Sequence, residues 1–337
     1  MRIAVDAMGG DHAPDEIIIG ALDALSRLNQ DDKIVLVGPQ ELLEKKLADL
    51  RYDRDRVSVV DAPDVIAMDE KPIDSLRQKP RSSIGILAKL AKLGQTDAVI
   101  SAGNTGACVA AFQMRMRTLP GVNRPGIAVV FPTTENPVTI CDVGANIACK
   151  PINLYQYGLM ASIYSRHFLK IQNPRVGLMS IGEEEAKGNE IVKRTRELMR
   201  GDPRLNFIGN VEGRDIFRNV CDVIVCEGFV GNVILKLTEG AVEGLFRAIK
   251  QELNPWLGLI FKRTIMRVYQ KHDYNEYGGA PLLGINGTAL ICHGASRART
   301  IRNAVVTAKT CHTQGINEKI MECLSEACVR TSDAQGI

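Results

Sequence analysis

No stretch of the 337 residues approaches the roughly 18 consecutive apolar positions that a membrane-spanning helix needs. No Cys-x-x-Cys pair occurs among the nine cysteines, and most of them, such as Cys141, Cys226 and Cys292, sit in apolar runs. That usage reads as reduced, buried thiols of a cytosolic protein rather than as disulfides or a zinc site. The chain enters an apolar run at Ile3, so no secretory h-region is expected. A strong charge of either sign is missing too. The formal net charge of +3 argues against a dedicated nucleic-acid binder and leaves room for a local basic patch. Familiar catalytic signatures are also absent. There is no Gly-x-Ser-x-Gly elbow, no His-Glu-x-x-His and no Gly-x-Gly-x-x-Gly, and Lys187 of Gly182-Glu-Glu-Glu-Ala-Lys-Gly188 lacks the Ser/Thr that would complete a phosphate-binding loop.

What is present is a repeated grammar of short apolar runs that empty into Gly/Asn loops. Asp6-Ala-Met-Gly9-Gly10-Asp11-His12-Ala-Pro14 follows Ile3–Val5, and Gly103-Asn104-Thr105-Gly106 follows Ala98–Ile100. Gly144-Ala-Asn146 follows Thr139–Cys141, Gly188-Asn189 comes shortly after Val176–Met179, and Gly228-Phe-Val-Gly231-Asn232 follows Val223–Val225. Paired glycines let a backbone approach a ligand closely, and a helix start presents N–H groups that suit a phosphate. Several such loops on one chain point to one common site at the carboxyl ends of the strands.

Apolar strand runs alternating with helical stretches predict an α/β protein with a mostly parallel sheet covered on both faces. Residues 1–330 read as one large α/β domain, with Asn173-Pro174 as its only seam between two lobes, and residues 331–337 as a flexible tail. Residues 254–272 break the pattern. The segment opens near Trp256; Leu257, Ile260, Phe261, Ile265 and Val268 share one face of an amphipathic helix, and Lys262, Arg263, Arg267 and Lys271 share the other. Such a helix either lies in a membrane interface or buries its apolar face in protein, at a dimer contact or on the body of the molecule.

The remaining polar inventory suits an attack by phosphate itself on an activated acyl group. Phosphate is partly dianionic near neutral pH and needs no serine or cysteine nucleophile. The protein then has to cradle phosphate, supply donors to the developing oxyanion and manage a proton at the leaving thiolate. The Gly/Asn loops offer the first two, Lys187 offers charge, and His12 and His293 are candidate proton donors. Each has a second reading. Asn after Gly is equally a helix N-cap, Asp6 an orienter of its loop, Lys187 a surface partner of Glu183 or Glu184, and a loop histidine a structural residue. His293-Gly-Ala-Ser296 directly follows a strand and would face the same crevice. Glu183-Glu-Glu185 reads as a solvated run or an acidic loop for Mg²⁺; no metal or cofactor is expected.

These motifs together, with Ser101-Ala-Gly-Asn-Thr-Gly-Ala107, Asp142-Val-Gly-Ala-Asn146, Ile181-Gly-Glu-Glu184, Gly209-Asn-Val-Glu-Gly-Arg-Asp215, Leu235-Lys-Leu-Thr-Glu-Gly240 and Tyr277-Gly-Gly-Ala-Pro-Leu-Leu-Gly284, resemble the bacterial phosphate acyltransferase family (PlsX) over residues 1 to about 312. Ser180 and Glu227 stand where Asn and Asp are usual. The resemblance implies a three-layer α/β/α fold like isopropylmalate dehydrogenase and phosphotransacetylase, and usually a homodimer. It implies transfer of a long-chain acyl group from acyl carrier protein to inorganic phosphate, giving acyl-phosphate for a glycerol-3-phosphate acyltransferase in phospholipid synthesis. It also implies a cytoplasmic protein that touches the inner face of the membrane through Trp256 to Tyr269. Phosphate would sit on Gly103–Gly106 and Asn146 with Lys187, and the thioester between Gly9–His12 and Gly228–Asn232. Basic residues such as Arg263, Arg267, Arg297 and Arg299 would dock the acidic carrier. Rival readings are a phosphotransacetylase acting on acyl-CoA and a non-catalytic scaffold for acyl carrier protein.

Overall fold

A computed structural model describes residues 1–133, 135–252 and 277–333, without the side chains of residue 250 and residues 326–333. The amphipathic segment 254–272, with Trp256, Leu257, Ile260 and Phe261, and the last four residues lie outside the described residues.

The strands are β1 (Arg2–Asp6), β2 (Lys33–Gly38), β3 (Val57–Asp61), β4 (Ala98–Ser101), β5 (Gly126–Phe131), β6 (Val138–Cys141), β7 (Arg175–Met179), β8 (Asn206–Val211), β9 (Val223–Val225), β10 (Ala280–Leu283) and β11 (Thr288–Ile291). They form one sheet in the order β3-β2-β1-β4-β11-β10-β5-β6-β9-β7-β8. β3-β2-β1-β4-β11 is one parallel block and β6-β9-β7-β8 another. Between them β10 pairs antiparallel with β11 and with β5, and β5 antiparallel with β6. Three successive reversals leave the two blocks running in opposite directions. The change of direction falls at β10 and β5, whereas Asn173-Pro174 lies on the approach to β7, inside the second block.

The helices are α1 (Asp15–Ala24), α2 (Gln40–Ala48), α3 (Pro72–Gln78), α4 (Ser83–Lys92), α5 (Thr105–Met116), α6 (Pro151–His167), α7 (Glu190–Arg200), α8 (Gly228–Glu252), α9 (Ala298–Thr313) and α10 (Ile316–Asp333). The period-2 alternation of strand side chains splits them into layers. Ala4, Val99, Ile127, Val129 and Ile224 share one core with Leu87 and Ala88 of α4 and Phe112 of α5, and Val230, Ile234 and Leu235 of α8 pack on it. On the other face Ile3 and Val5 meet Ile17 and Ile18 of α1 and Ile301 and Val305 of α9. Further along that face Ala128, Val130, Val223 and Val225 meet Tyr157 and Met160 of α6 and Ile320 of α10. Both faces are thus covered by helices, as the apolar runs predict. Among the described residues no helix is long and apolar enough to cross a membrane.

A charged knot fastens the first block. The buried Asp32 accepts from Lys309 Nζ at 2.9 Å, the terminal ammonium of Met1 at 3.0 Å and Asn29 N–H at 2.8 Å. Burial pushes the carboxyl up, but these donors outweigh it and hold Asp32 at about 2, below the ordinary 3.8. A depressed folded value means stability that is present above about pH 4 and lost as pH falls towards 2. Asp32→Asn is therefore expected to cost about 2 kcal/mol at pH 7, a deficit that closes as urea midpoints of both proteins are followed down to pH 2.

Candidate active site

Three loops of the first block pack on one another at the carboxyl ends of β1, β4 and β11. Asp6, buried at the end of β1, accepts from Ser101 Oγ at 2.6 Å and Met8 N–H at 3.1 Å. Burial pushes its carboxyl up against those bonds. Ser101 Oγ in turn accepts from Gly103 N–H at 3.0 Å, and Asp11 N–H donates to Gly294 O at 2.8 Å. Gly10 has φ +99°, and a Cβ there would stand 2.7 Å from Gly294 O, so glycine is required by the contact between loops as well as by the backbone. Asn104 is both an N-cap and a tether. Its Oδ1 accepts from Ala107 N–H at 3.0 Å, and its Nδ2 faces the carbonyls of Ala67, Met68 and Glu70 at 3.3, 3.1 and 3.0 Å. Cys108 N–H bonds to Asn104 O, so Thr105 and Gly106 carry the leading N–H groups of α5. Asn104→Ala loses the cap and the tether to the carbonyls of Ala67, Met68 and Glu70; about 1–2 kcal/mol of stability should go with it in a urea titration.

In the second block Asp142 organises everything around it. It is fully buried, and its Oδ1 accepts from Ile127, Gly144 and Ala145 N–H at 3.0, 3.1 and 2.9 Å, its Oδ2 from Asn146 N–H at 2.8 Å. Burial pushes its carboxyl up against these bonds. The Asn146 amide is already engaged: Nδ2 donates to Pro125 O at 2.6 Å and Tyr157 Oη at 2.8 Å, and Oδ1 accepts from Arg124 Nη1 at 3.4 Å. Gly228, Gly231 and Asn232, expected in a loop, are the first turns of α8. Gly228 N–H donates to Asn146 O at 2.9 Å, and a Cβ on Gly231 would lie 2.0 Å from Asp142 O. These glycines let the helix sit directly on the 142–146 loop, which is why a pattern that looks like a ligand-binding turn is a helix start.

Because the blocks run in opposite directions, their carboxyl ends do not share one sheet edge. The two halves meet on the face that α5 and α8 cover, in a groove of about 390 Å³. Ile127 and Val129 of β5, Ala280 of β10 and Ile291 of β11 give it apolar strand walls. Asp11, Thr105, Gly106 and His293 bring polar groups from the first block, and Gly144, Asn232, Lys236 and Glu239 from the second. Residues 232, 236 and 239 fall on one side of α8 at helical spacing. His293 Nδ1 accepts from Ala295 N–H at 3.2 Å, and His293 Nε2 lies 4.0 Å from Glu239 Oε2.

Other expected residues stand elsewhere. Asp11 rather than His12 lines the groove; His12 is half-buried in the turn before α1, where its carbonyl accepts from Glu16 N–H at 3.2 Å. Lys187 and Asn189 are exposed on the loop after β7 and do not line the groove, and Asn189 Oδ1 caps α7 through Val192 N–H at 3.0 Å. In the same loop Glu183 pairs with Arg214 at 3.8 Å and Glu185 with Arg200, and the Glu185 carbonyl accepts from Arg196. Ser296 is buried, and its Oγ has no hydrogen-bond partner among the described residues. Lys236 and Glu239 are the groove residues that sequence reasoning passed over. The signal was their spacing from Asn232 on a long amphipathic helix.

Residues 1–319 match the family model described as "Fatty acid synthesis protein". The chain is 45% identical to the phosphate acyltransferase of Nitratidesulfovibrio vulgaris (strain DP4), covering 98% of each chain. It is 47% identical to that of Heliobacterium modesticaldum, covering 97% of each, and 44% identical to that of Dictyoglomus thermophilum, covering 97% of this chain and 98% of the relative. In fold it resembles a phosphotransacetylase from Streptococcus pyogenes (TM-score 0.64, 15% identity, 94% of each chain). It also resembles a branched-chain phosphotransacylase from Enterococcus faecalis V583 (TM-score 0.57, 12% identity, 93% of this chain and 99% of the other). At that identity the likeness concerns architecture alone, and it agrees with the expected α/β class. The identity to the curated relatives goes further: this chain belongs to the phosphate acyltransferase (PlsX) family and is an enzyme that transfers an acyl group to phosphate.

Proposed function

We propose that the enzyme moves a long-chain fatty acyl group from the thioester of acyl carrier protein to inorganic phosphate, and that the groove between α5 and α8 is where the two substrates meet. The observation that carries this is the pairing, in one groove, of a helix start, a lysine and an imidazole with apolar strand walls. Phosphate binds the leading N–H groups at Thr105 and Gly106, where the α5 dipole favours an anion, with Lys236 supplying a full positive charge. The acyl chain lies along Ile127, Val129, Ala280 and Ile291. A phosphate oxygen attacks the thioester carbon, so a C–O bond forms and the carbonyl becomes an oxyanion that the Asn232 amide stabilises. Collapse breaks the C–S bond, the electron pair goes to sulfur, and His293 Nε2–H hydrogen-bonds the forming thiolate as it takes up a proton. The proton given up by hydrogen phosphate balances the one delivered to sulfur.

In this reading the product feeds glycerol-3-phosphate acylation at the membrane, with residues 254–272 as the contact and a homodimer as the working unit. Burying the acyl chain keeps the reactive acyl-phosphate from water until transfer. The test is thiol release from a long-chain acyl carrier protein. Free thiol should accumulate only with phosphate present, and long-chain acyl-CoA at equal concentration should be the poorer donor. Equal or faster turnover of acyl-CoA would replace the carrier-protein assignment with a phosphotransacetylase, and release independent of phosphate would remove the proposal.

A further inference from the structure

We propose that the groove passes through the sheet between β5 and β10 and ends on Tyr164, which sets the longest acyl chain the enzyme accepts. The inference deepens the preceding one and rests on the acyl chain lying along Ile127, Val129 and Ala280. β10 pairs with β11 through Ala280 and Pro281, but with β5 only through Leu282 and Leu283. Pro281 has no N–H with which to carry the β5 ladder further, and the two strands part beyond Ile127. The walls of the groove follow that parting. Ile127 and Val129 belong to the core under α5, whereas Val130 and Tyr164 line the same groove and belong to the core under α6. Strand side chains alternate between faces, so one cavity that touches both Val129 and Val130 reaches both sides of the sheet. Pro281 and the half-buried Tyr277 line it with them. Tyr164 is 1% exposed and its ring is stacked on Phe168, with centroids 4.9 Å apart, which makes it a fixed floor. Burial pushes its hydroxyl well above the ordinary 10, so the floor is uncharged. The charged lining residues Asp11, Lys236 and Glu239 come from the loop after β1 and from α8, and none comes from the α6 side. A thioester thus has a polar end for its carbonyl and an apolar end for its tail. Each methylene that enters is worth about fourfold in kcat/KM, and methylenes that Tyr164 turns back stay in water and add nothing.

The test measures kcat/KM across saturated acyl carrier protein donors of increasing length, for the wild type, Tyr164→Ala and Ala280→Leu. It also maps where a photoreactive diazirine at the far end of the acyl chain labels the wild type. Wild-type kcat/KM should stop rising at one chain length. Tyr164→Ala should raise kcat/KM about tenfold or more for a donor two carbons beyond that length, because the floor has dropped. Ala280→Leu, which fills the groove short of the passage, should move the limit to a shorter chain. In the wild type the diazirine on the longest accepted chain should label Tyr164 or its neighbours on α6. The labelling needs no variant, so it decides the matter even where Tyr164→Ala does not fold. Label on α5 or α8, or a folded Tyr164→Ala with the wild-type limit, would overturn the passage through the sheet and leave the groove as the acyl site. Label on neither α6 nor the groove walls, with a limit that Ala280→Leu leaves in place, would overturn the acyl placement itself and this proposal with it.

Discussion

Asp142→Ala is expected to remove about 4–6 kcal/mol of folding stability, a large share of what a protein of ordinary stability has. The carboxylate sits at no measurable exposure and accepts from four backbone N–H groups, those of Ile127, Gly144, Ala145 and Asn146. Alanine leaves all four without that acceptor, and each buried orphan costs about 1–3 kcal/mol, less where water reaches it. The same bonds join β5 to the loop that carries α8, so the loss spreads to the groove. Gly231→Ala approaches that joint from the other side. Its methyl would stand 2.0 Å from Asp142 O, where neither backbone can yield without separating helix from loop. Chemical denaturation of both variants checks the argument; a loss below about 1 kcal/mol for Asp142→Ala would show that the loop does not depend on the carboxylate.

Lys236→Ala is expected to lower kcat/KM for phosphate about a hundredfold or more with little change in the urea midpoint. Lys236 is exposed but lines the groove, so it contributes charge where the phosphate is held, and removing one such donor typically costs about 10²–10³ in rate. Lys187→Ala is the comparison that makes the measurement decisive. Lys187 is exposed on the loop after β7 and does not line the groove, so its removal should leave phosphate kinetics within about threefold of wild type. The reverse order of effects would move the phosphate to the 180–189 loop.

Much of the architecture was legible in advance because strands buried on both faces are written as continuous apolar runs. Ala98–Ile100 and Val223–Val225 are examples, each lying in a strand as expected. β10 was not legible. Ala280-Pro-Leu-Leu283 is short, contains proline and follows Gly278-Gly279, all of which read as loop. Its two antiparallel pairings and that of β5 with β6 are the three reversals that oppose the blocks, so the relative direction of the halves was hidden with it. The start of α8 was misplaced for a related reason: Gly228 and Gly231 look like turn residues, but they are demanded by contact with the 142–146 loop, which is distant in sequence. At the site, Thr105, Gly106, Asp11, Asn232 and His293 meet because the grammar of strand, glycine and helix start reflects real geometry. Asn104 and Asn189 follow their plainer reading as caps. Leu235-Lys-Leu-Thr-Glu-Gly240 carries part of the family resemblance, but Lys236 and Glu239 received no role because the run is indistinguishable from the solvated side of any amphipathic helix until the neighbouring block is seen across from it.

The most direct measurement is a crystal structure of the protein with phosphate bound. Phosphate within hydrogen-bond reach of the Thr105 and Gly106 N–H groups, with Lys236 Nζ turned towards it, is the predicted result. Phosphate held instead on the 180–189 loop beside Lys187, with the groove between α5 and α8 empty, would contradict it.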